Sequence, residues 1–270
     1  MFEQFALGVY IAGDSLLHRL RARTKLLALL WLIGVVTAAG QRSWRAAPYL
    51  GLVALVCAAA GLSGIAPGLL WRRVRLLALL ALVGMVPVVL LAEGDGPPLY
   101  ALGPLLVTAE SVWLGARLVV VFLSLYLLAL LLTMTTSPVA LIEGLTLLLG
   151  PLRRLRLPVD EFALMALLAL RFIPTIGEEI ELLVKAQLSR GADFSHGTPR
   201  ERMDSLAALL VPIFQSVWRR AAALAAALDA RGYTLDGRQT LLYETPLGAA
   251  DYLTLAAVAL VTIAALLIPF

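Results

Sequence analysis

Long apolar stretches, separated by short clusters of charged residues, make up most of this chain. Five stretches carry no charged side chain: residues 26–41, 46–71, 76–92, 118–142 and 252–270. A helix that crosses a bilayer needs about 20 mostly apolar residues, and each stretch approaches or exceeds that length. The pattern therefore predicts five membrane-spanning helices. The first and third are short, so we expect them to tilt little or to extend past a flanking charge.

Composition supports the same class of protein. Hydrophobic residues make up 61% of the 270 residues, and charged residues make up only 15%. Soluble domains carry about 25% charged residues, so the balance is that of an integral membrane protein. The single cysteine, Cys57, lies inside the second apolar stretch, where we interpret it as a small packing residue.

The basic residues predict how the chain crosses the membrane. Lys and Arg accumulate on the cytoplasmic side of membrane proteins. Four of them precede the first apolar stretch: Arg19, Arg21, Arg23 and Lys25. With the N-terminus cytoplasmic, alternation also places residues 72–75 and 138–245 inside, and the C-terminus outside; only Arg42 and Arg45 break the rule. The net charge of +4 is spread over membrane-proximal positions, so we expect contact with the lipid bilayer and no nucleic-acid partner.

Residues 138–245 are too long for a loop and too apolar for a disordered segment. Their pattern predicts three helices, over 138–149, 160–190 and 199–231. Asp160 is the expected N-cap of the second helix. Pro174 is expected to kink that helix, and Pro212 to break the third one. The chain thus divides into an N-terminal membrane region (1–137), a cytoplasmic helical region (138–245) and a C-terminal membrane helix (246–270).

Both long helices of this region run from an apolar beginning to a charged end, and each ends in an Arg-Gly pair. The ends are Ser189-Arg190-Gly191 and Ala230-Arg231-Gly232. Glycine after a helix and arginine in its last turn make an ordinary C-terminal cap. Two such ends on consecutive helices of matching polarity also suit docking to a partner protein. The residues alone leave both interpretations open.

The sequence contains none of the common catalytic or metal-binding motifs. Its two histidines, His18 and His196, have no ligand at metal-binding spacing, and HExxH, GxSxG and Walker sequences do not occur. The carboxylates Glu178 and Glu179 are interpreted as a solvated helix face or as partners of a neighbouring arginine. Arg171 lies in an apolar helix, where it pairs or extends to the membrane surface. This pattern favours a force-transmitting or scaffolding subunit over a membrane enzyme.

Several short motifs resemble one family over nearly the whole length of the chain. They lie at residues 8–15, 17–20, 23–26, 132–138, 170–174, 186–193 and 228–233. These residues resemble the transmembrane T component of energy-coupling factor transporters. The family's signature is a pair of Ala-Arg-Gly-like triplets at the ends of two crossing coupling helices. The resemblance implies an all-α integral membrane protein with about five transmembrane helices. Three coupling helices lie on its cytoplasmic side, two of them long and crossing.

The resemblance also implies partners and residue roles. Two ABC ATPase subunits would receive the triplets 189–191 and 230–232, with Arg190 and Arg231 as docking arginines and Arg171, Pro174 and Pro212 supporting the helices. A substrate-binding S subunit would rest on the apolar surface of the coupling helices. ATP and magnesium would be bound by the ATPases, so this chain is expected to bind no cofactor or metal and to catalyse no reaction.

Two departures from the family pattern and two alternatives accompany the resemblance. Arg21-Ala22 stands where the family has Asp-Pro, and Ser189 stands where it has Ala. The N-terminal motif favours the version that several vitamin-specific S subunits share, with a version dedicated to cobalt or nickel as the alternative. In other classes, a membrane enzyme with an unrecognised site and a permease with its own channel remain as rival hypotheses.

Overall fold

The computed structural model describes residues 10–11, 13–40, 47–91, 98–102, 105–191, 198–234 and 248–267. These residues are predominantly helical, which confirms the predicted all-α membrane fold. The helices are α1 (Leu16–Arg19), α2 (Ala22–Gly40), α3 (Ala47–Leu62), α4 (Pro67–Leu91), α5 (Ala109–Thr135), α6 (Pro138–Leu148), α7 (Val159–Ser189), α8 (Pro199–Ala230) and α9 (Ala249–Leu267). A 3₁₀ turn, Gly150–Leu155, joins α6 to α7.

A short ribbon that the sequence pattern did not predict precedes α5. Strands β1 (Pro98–Leu102) and β2 (Leu105–Thr108) pair antiparallel, from Pro98 opposite Thr108 to Leu102 opposite Leu105. Residues 93–117 lie outside the five charge-free stretches, and the sequence pattern assigned no strand to them.

Two helices among the described residues are long and apolar enough to cross a membrane. They are α4, with 25 residues, and α5, with 27. Shorter apolar segments lie in α3, α6 and α9. The predicted number of five spans therefore stays a prediction.

The predicted second stretch, residues 46–71, was wrong at its C-terminal end. Helix α3 stops at Leu62, and the chain turns at Gly64, whose φ is 67°. Ser63 holds the turn, because its Oγ donates to Ala60 O at 2.6 Å and accepts from Ile65 N at 3.2 Å. Because the residues of this turn carry no charge, the turn does not interrupt the charge-free stretch in the sequence. The three arginines at 72–75 consequently lie inside α4 rather than in a loop.

The fourth stretch, residues 118–142, overlaps only in part with helix α5, which spans Ala109–Thr135. A capping box begins α5 before the predicted residue 118: Thr108 Oγ1 accepts from Ser111 N at 3.2 Å, and Ser111 Oγ accepts from Thr108 N at 3.1 Å. The helix ends at Thr135, just before Ser137 and Pro138. Glu110 and Arg117 are therefore helical residues, so counting uncharged residues underestimated the N-terminal part of this helix.

Contacts divide the chain into two compact units. The larger comprises Val9–Leu147 and Pro246–Phe270, and the smaller comprises Met1–Gly8 and Leu148–Thr245. The core of the larger unit contains two clusters of buried residues. One joins Leu32, Leu52, Val56 and Val258; the other joins Leu70, Leu131 and Met134.

Contacts between helix ends show the direction in which each helix of the larger unit runs. At one end, Lys25 of α2 donates to Thr135 O of α5 at 3.0 Å, and Asp251 of α9 accepts from Arg21 N at 3.2 Å. At the other end, the Arg117 guanidinium of α5 lies 5.4 Å from the ring centre of Tyr49 in α3. A Cβ added at Gly115, near the start of α5, would lie 2.7 Å from the Met85 side chain and 2.8 Å from that of Val89, near the end of α4. Helices α2, α3, α4, α5 and α9 thus run alternately in opposite directions, as successive membrane spans do.

Candidate functional site

Helix α7 ends in a glycine-dependent turn that exposes Arg190. Arg190 N donates to Gln187 O at 3.0 Å, and Gly191 N donates to Leu188 O at 3.0 Å. Gly191 has a φ of 86°, a left-handed conformation that costs a residue with a Cβ roughly 1–2 kcal/mol. The predicted glycine end is confirmed. Ser189, whose Oγ donates to Lys185 O at 3.0 Å, completes the helix, and Arg190 and Gly191 are exposed.

Helix α8 ends in the same way. Gly232 N donates to Asp229 O at 3.0 Å and Tyr233 N donates to Leu228 O at 3.0 Å, the two hydrogen bonds of a Schellman motif. Gly232 has a φ of 73°. Ala230, Arg231 and Gly232 are exposed. Both triplets therefore have an exposed arginine followed by a glycine with a positive φ, whose N–H bonds back to the last turn of the helix. We call residues 189–191 and 230–232 the two tips.

The two tips point toward opposite ends of a helix pair. Glu179 of α7 pairs with Arg220 of α8 at 2.8 Å, and Gln187 of α7 donates to Ala208 O of α8 at 3.4 Å. Moving toward the C-terminus of α7 thus means moving toward the N-terminus of α8, so the helices pack antiparallel. At a rise of 1.5 Å per residue, about 35 Å of α8 separates Ala208 from Arg231. The two arginines are consequently well separated.

Pro212 does not break α8, contrary to the prediction, because the helix is continuous over Pro199–Ala230. Proline lacks an N–H, so the carbonyl four residues earlier, that of Ala208, loses its donor within the helix. Gln187 supplies a donor to this carbonyl from α7. Helix α7 likewise continues through Pro174, whose predicted kink stays a prediction.

Asp160 is not the N-cap of α7, which corrects that prediction. The N-cap position is Pro158, and Asp160 lies in the first turn of the helix. Its Oδ1 accepts from Arg153 Nη2 at 2.6 Å. A carboxylate in the first turn is favoured by the helix dipole without acting as a cap, so the sequence signal was genuine but shifted along the helix.

The charged side chains of α7 have the two roles considered for them. Glu179 pairs with Arg220, and Glu181 pairs with Lys185 at 3.3 Å one turn along the same helix. The second pair is exposed and contributes roughly 0.3–0.5 kcal/mol at most. Glu178 and Arg171 are exposed. The Glu179–Arg220 pair therefore joins the two long helices, as the bond from Gln187 to Ala208 O also does.

An apolar ridge follows α8. It consists of Leu210, Phe214 and Trp218, spaced four residues apart and exposed by 63%, 68% and 68%. The rings of Phe214 and Trp218 stack with their centres 6.2 Å apart. On α7, Phe162 and Met165 are also exposed, by 63% and 53%. Apolar side chains exposed to this extent on neighbouring turns are typical of a surface that meets a membrane or another protein.

Sequence comparisons agree on one family. The profile of the cobalt transport protein family, CbiQ, matches residues 13–241. The energy-coupling factor transporter transmembrane protein EcfT of Acidaminococcus fermentans is 37% identical over 254 residues, which cover 94% of this chain and 92% of that protein. EcfT of Heliobacterium modesticaldum is 39% identical over 261 residues, covering 96% and 95%. EcfT of Thermosediminibacter oceani is 34% identical over 268 residues, covering 99% of each.

The breadth of these matches decides the assignment. The family profile covers most of the chain, including α7, α8 and both tips. The relatives are similar over almost their full lengths, so the similarity is not confined to one motif. Membership implies a place in a multi-subunit membrane transporter. The chain therefore belongs to the CbiQ family, as an energy-coupling transmembrane T component of energy-coupling factor transporters.

Proposed function

We propose that this T component links ATP hydrolysis by two ABC ATPase subunits to movement of a substrate-binding S subunit. The observation that supports this most is the pair of tips, each with an exposed arginine on a glycine turn, at opposite ends of two antiparallel helices. Two separate tips suit two separate ATPases. ATP and magnesium belong to the ATPases, and this chain catalyses no reaction itself.

The chemistry of the tips favours acidic grooves as their binding sites. A guanidinium donates two parallel hydrogen bonds to a carboxylate, a geometry that lysine does not provide. Each helix ends directly before the arginine, so the helix itself does not continue past the side chain that would enter a groove. Capping and docking are thus compatible roles, because the turn that ends the helix also presents the arginine.

The apolar ridge of α8 is the proposed contact for the S subunit. Its exposed aromatic rings need a cover, and the transmembrane surface of an S subunit would supply one. Movement of the tip at residues 230–232 by its ATPase would then move the ridge, since that tip and the ridge belong to α8. Arg220 and Glu179 keep α7 and α8 together during that movement.

We test the docking proposal by reversing the charge at both tips with Arg190→Glu and Arg231→Glu together. Breaking a hydrogen-bonded charge pair at an interface costs about 2 kcal/mol or more, so ATPase affinity should fall by about 30-fold or more. Co-purification with the ATPases measures the loss. Membrane levels of the double variant should stay normal, because both arginines are exposed.

Arg219→Glu is the matched control, since Arg219 is an exposed arginine on α8 away from the tip. It should retain ATPase binding. If the double tip variant still co-purifies with fully active ATPases, the docking role is wrong.

For the cargo, we propose a T component that vitamin-specific S subunits share, as the N-terminal motif suggests. The name of the matching family favours a second candidate, a component dedicated to cobalt or nickel uptake. Identifying the S subunits that co-purify with the chain separates the two. Several different S subunits support the shared version, and one metal-specific partner supports the dedicated version.

A further inference from the structure

The N-terminal segment holds the C-terminal end of α5. Ile11 N donates to Met134 O at 3.0 Å. Lys25 Nζ donates to Thr135 O at 3.0 Å, to Thr135 Oγ1 at 3.3 Å and to Thr136 Oγ1 at 3.0 Å. The last carbonyls of a helix have no donor within it, so these bonds satisfy groups that would otherwise be buried without partners. Met134, Thr135 and Thr136 are all buried.

Helix α6 starts at the same place. Thr136 is extended, and Ser137 begins the next helix by accepting from Ala140 N through its Oγ at 3.2 Å and from Leu141 N through its carbonyl at 3.0 Å. Only two residues therefore separate α5 from α6. The second threonine that Lys25 contacts is one of them.

Helix α6 also rests directly on α2. A Cβ added at Gly144 would lie 2.8 Å from Arg23 N and 2.9 Å from Ala22 Cβ, so the two backbones are in contact there. The first turn of α2 thus touches α6 through Ala22 and Arg23, and holds the start of α6 through Lys25. Two contacts from one helical turn fix α6 at its beginning and near its middle.

The surroundings of Lys25 separate the role of its ammonium from that of its alkyl chain. Lys25 lines an apolar cavity together with Leu20, Leu128 and Leu132, yet its ammonium has three protons and three acceptors. A methionine of similar length fills the same space without any donor. Replacing the lysine therefore removes the bonds to the α5–α6 junction and leaves the packing nearly unchanged.

We infer that Lys25 is a positioning residue for energy coupling. It clamps the α5–α6 junction so that α6, the link from the membrane helices to the coupling region, moves with those helices as one body. A loose junction would absorb the displacement that starts at the tips before it reached the membrane helices. The inference rests on the proposed function for its purpose, although the clamp itself is measurable in this chain alone.

The test measures the distance between spin labels at native Cys57 in α3 and at Leu147→Cys in α6, both of which are exposed. The parent protein should give a narrow distribution that stays narrow when ATP and magnesium are added to its complex with the ATPases. Lys25→Met and Thr136→Val should each broaden it about twofold, because the junction then samples additional conformations. ATP hydrolysis by the bound ATPases should continue in both variants.

Two matched controls make the same chemical changes elsewhere. Thr133→Val removes a hydroxyl that is bonded only to Ala129 O of its own helix, and Lys185→Met removes an exposed ammonium. Both should keep the narrow distribution. Unchanged widths in Lys25→Met and Thr136→Val, even with a lowered melting temperature, would overturn the inference and leave a role in stability alone.

Two further outcomes also have a defined interpretation. If Lys25→Met does not accumulate in the membrane, Thr136→Val decides the question, since it is nearly isosteric and removes one acceptor. If the ATPases fail to bind the parent chain, the proposed function fails, and the label distances in the chain alone still show whether the clamp exists.

Discussion

Gly191 and Gly232 are needed for their backbone conformation and not for lack of space. Their φ values are 86° and 73°, and a Cβ added at either position would meet nothing within 4 Å. Alanine therefore fits beside its neighbours but strains the turn. Each tip depends on a conformation that glycine adopts at little cost.

Gly191→Ala and Gly232→Ala should each destabilise the protein by about 1 kcal/mol, which lowers the melting temperature by roughly 2–4 °C. Thermal unfolding of the detergent-solubilised protein measures the change. Gly68→Ala is the control: that glycine is helical, has equal space and lacks a positive φ, so alanine there should be neutral or stabilising. Equal melting temperatures for all three variants would contradict the assignment of strain.

At the scale of residues, the sequence predicted the glycine ends of the helices but not the contacts between residues far apart in the chain. The glycine ends of α7 and α8 were predictable, because a C-terminal cap depends on a few consecutive residues. The bonds from Lys25 to Thr135 and from Arg21 to Asp251 join residues 110 and 230 positions apart, and no local pattern specifies them. The backbone N–H of Arg21 is capped by that distant carboxylate.

At the scale of helices, Pro212 contributes to one of the contacts between α7 and α8. Because residue 212 has no N–H, the carbonyl of Ala208 lacks its usual donor within α8, and Gln187 supplies one from α7. The proline thus exchanges a bond within α8 for a bond between the two long helices. Sequence analysis predicted an effect of Pro212 on the helix but assigned a break, since the partner on α7 was not visible.

Gln187→Leu should destabilise the parent protein by about 0.5–1 kcal/mol and have almost no effect in a Pro212→Ala background. In that background alanine donates to Ala208 O, so the carbonyl already has a donor and depends less on Gln187. A double-mutant cycle of melting temperatures measures this coupling. Strictly additive effects would show that Gln187 and Pro212 act independently.

Helix boundaries were the least predictable feature at this scale. Charge is a poor marker of a helix end here, since α4 begins with three arginines in its first turns and α5 contains Glu110 and Arg117. The real boundaries are set by small polar residues, Ser63 after α3 and Thr108 before α5, whose hydroxyls bond to the backbone. Such residues are common enough that a single sequence does not distinguish them from helix interiors.

For the whole molecule, the alternating helices and the basic residues around Lys25 predict which end of the larger unit faces which side of the membrane. The end of the larger unit that contains Lys25 and Asp251 should face the cytoplasm, and the end that contains Arg117 should face outward. Cysteines introduced at Ala66 and Ala109, both exposed, report on the two ends after Cys57→Ala removes the native thiol. A membrane-impermeant maleimide added to intact cells should label Ala109→Cys and spare Ala66→Cys. The reverse pattern would invert the proposed orientation.

The contact between α2 and α9 also affects the order in which the helix bundle assembles during synthesis. Asp251 caps the backbone of Arg21 and pairs with its side chain at 3.5 Å, and its second oxygen accepts from Gly248 N at 3.0 Å at the start of α9. One carboxylate thus serves the beginnings of two helices that lie far apart in the chain. Because Asp251 follows Arg21 by 230 positions, the N-terminal turn of α2 gains this partner only after α9 has been synthesised.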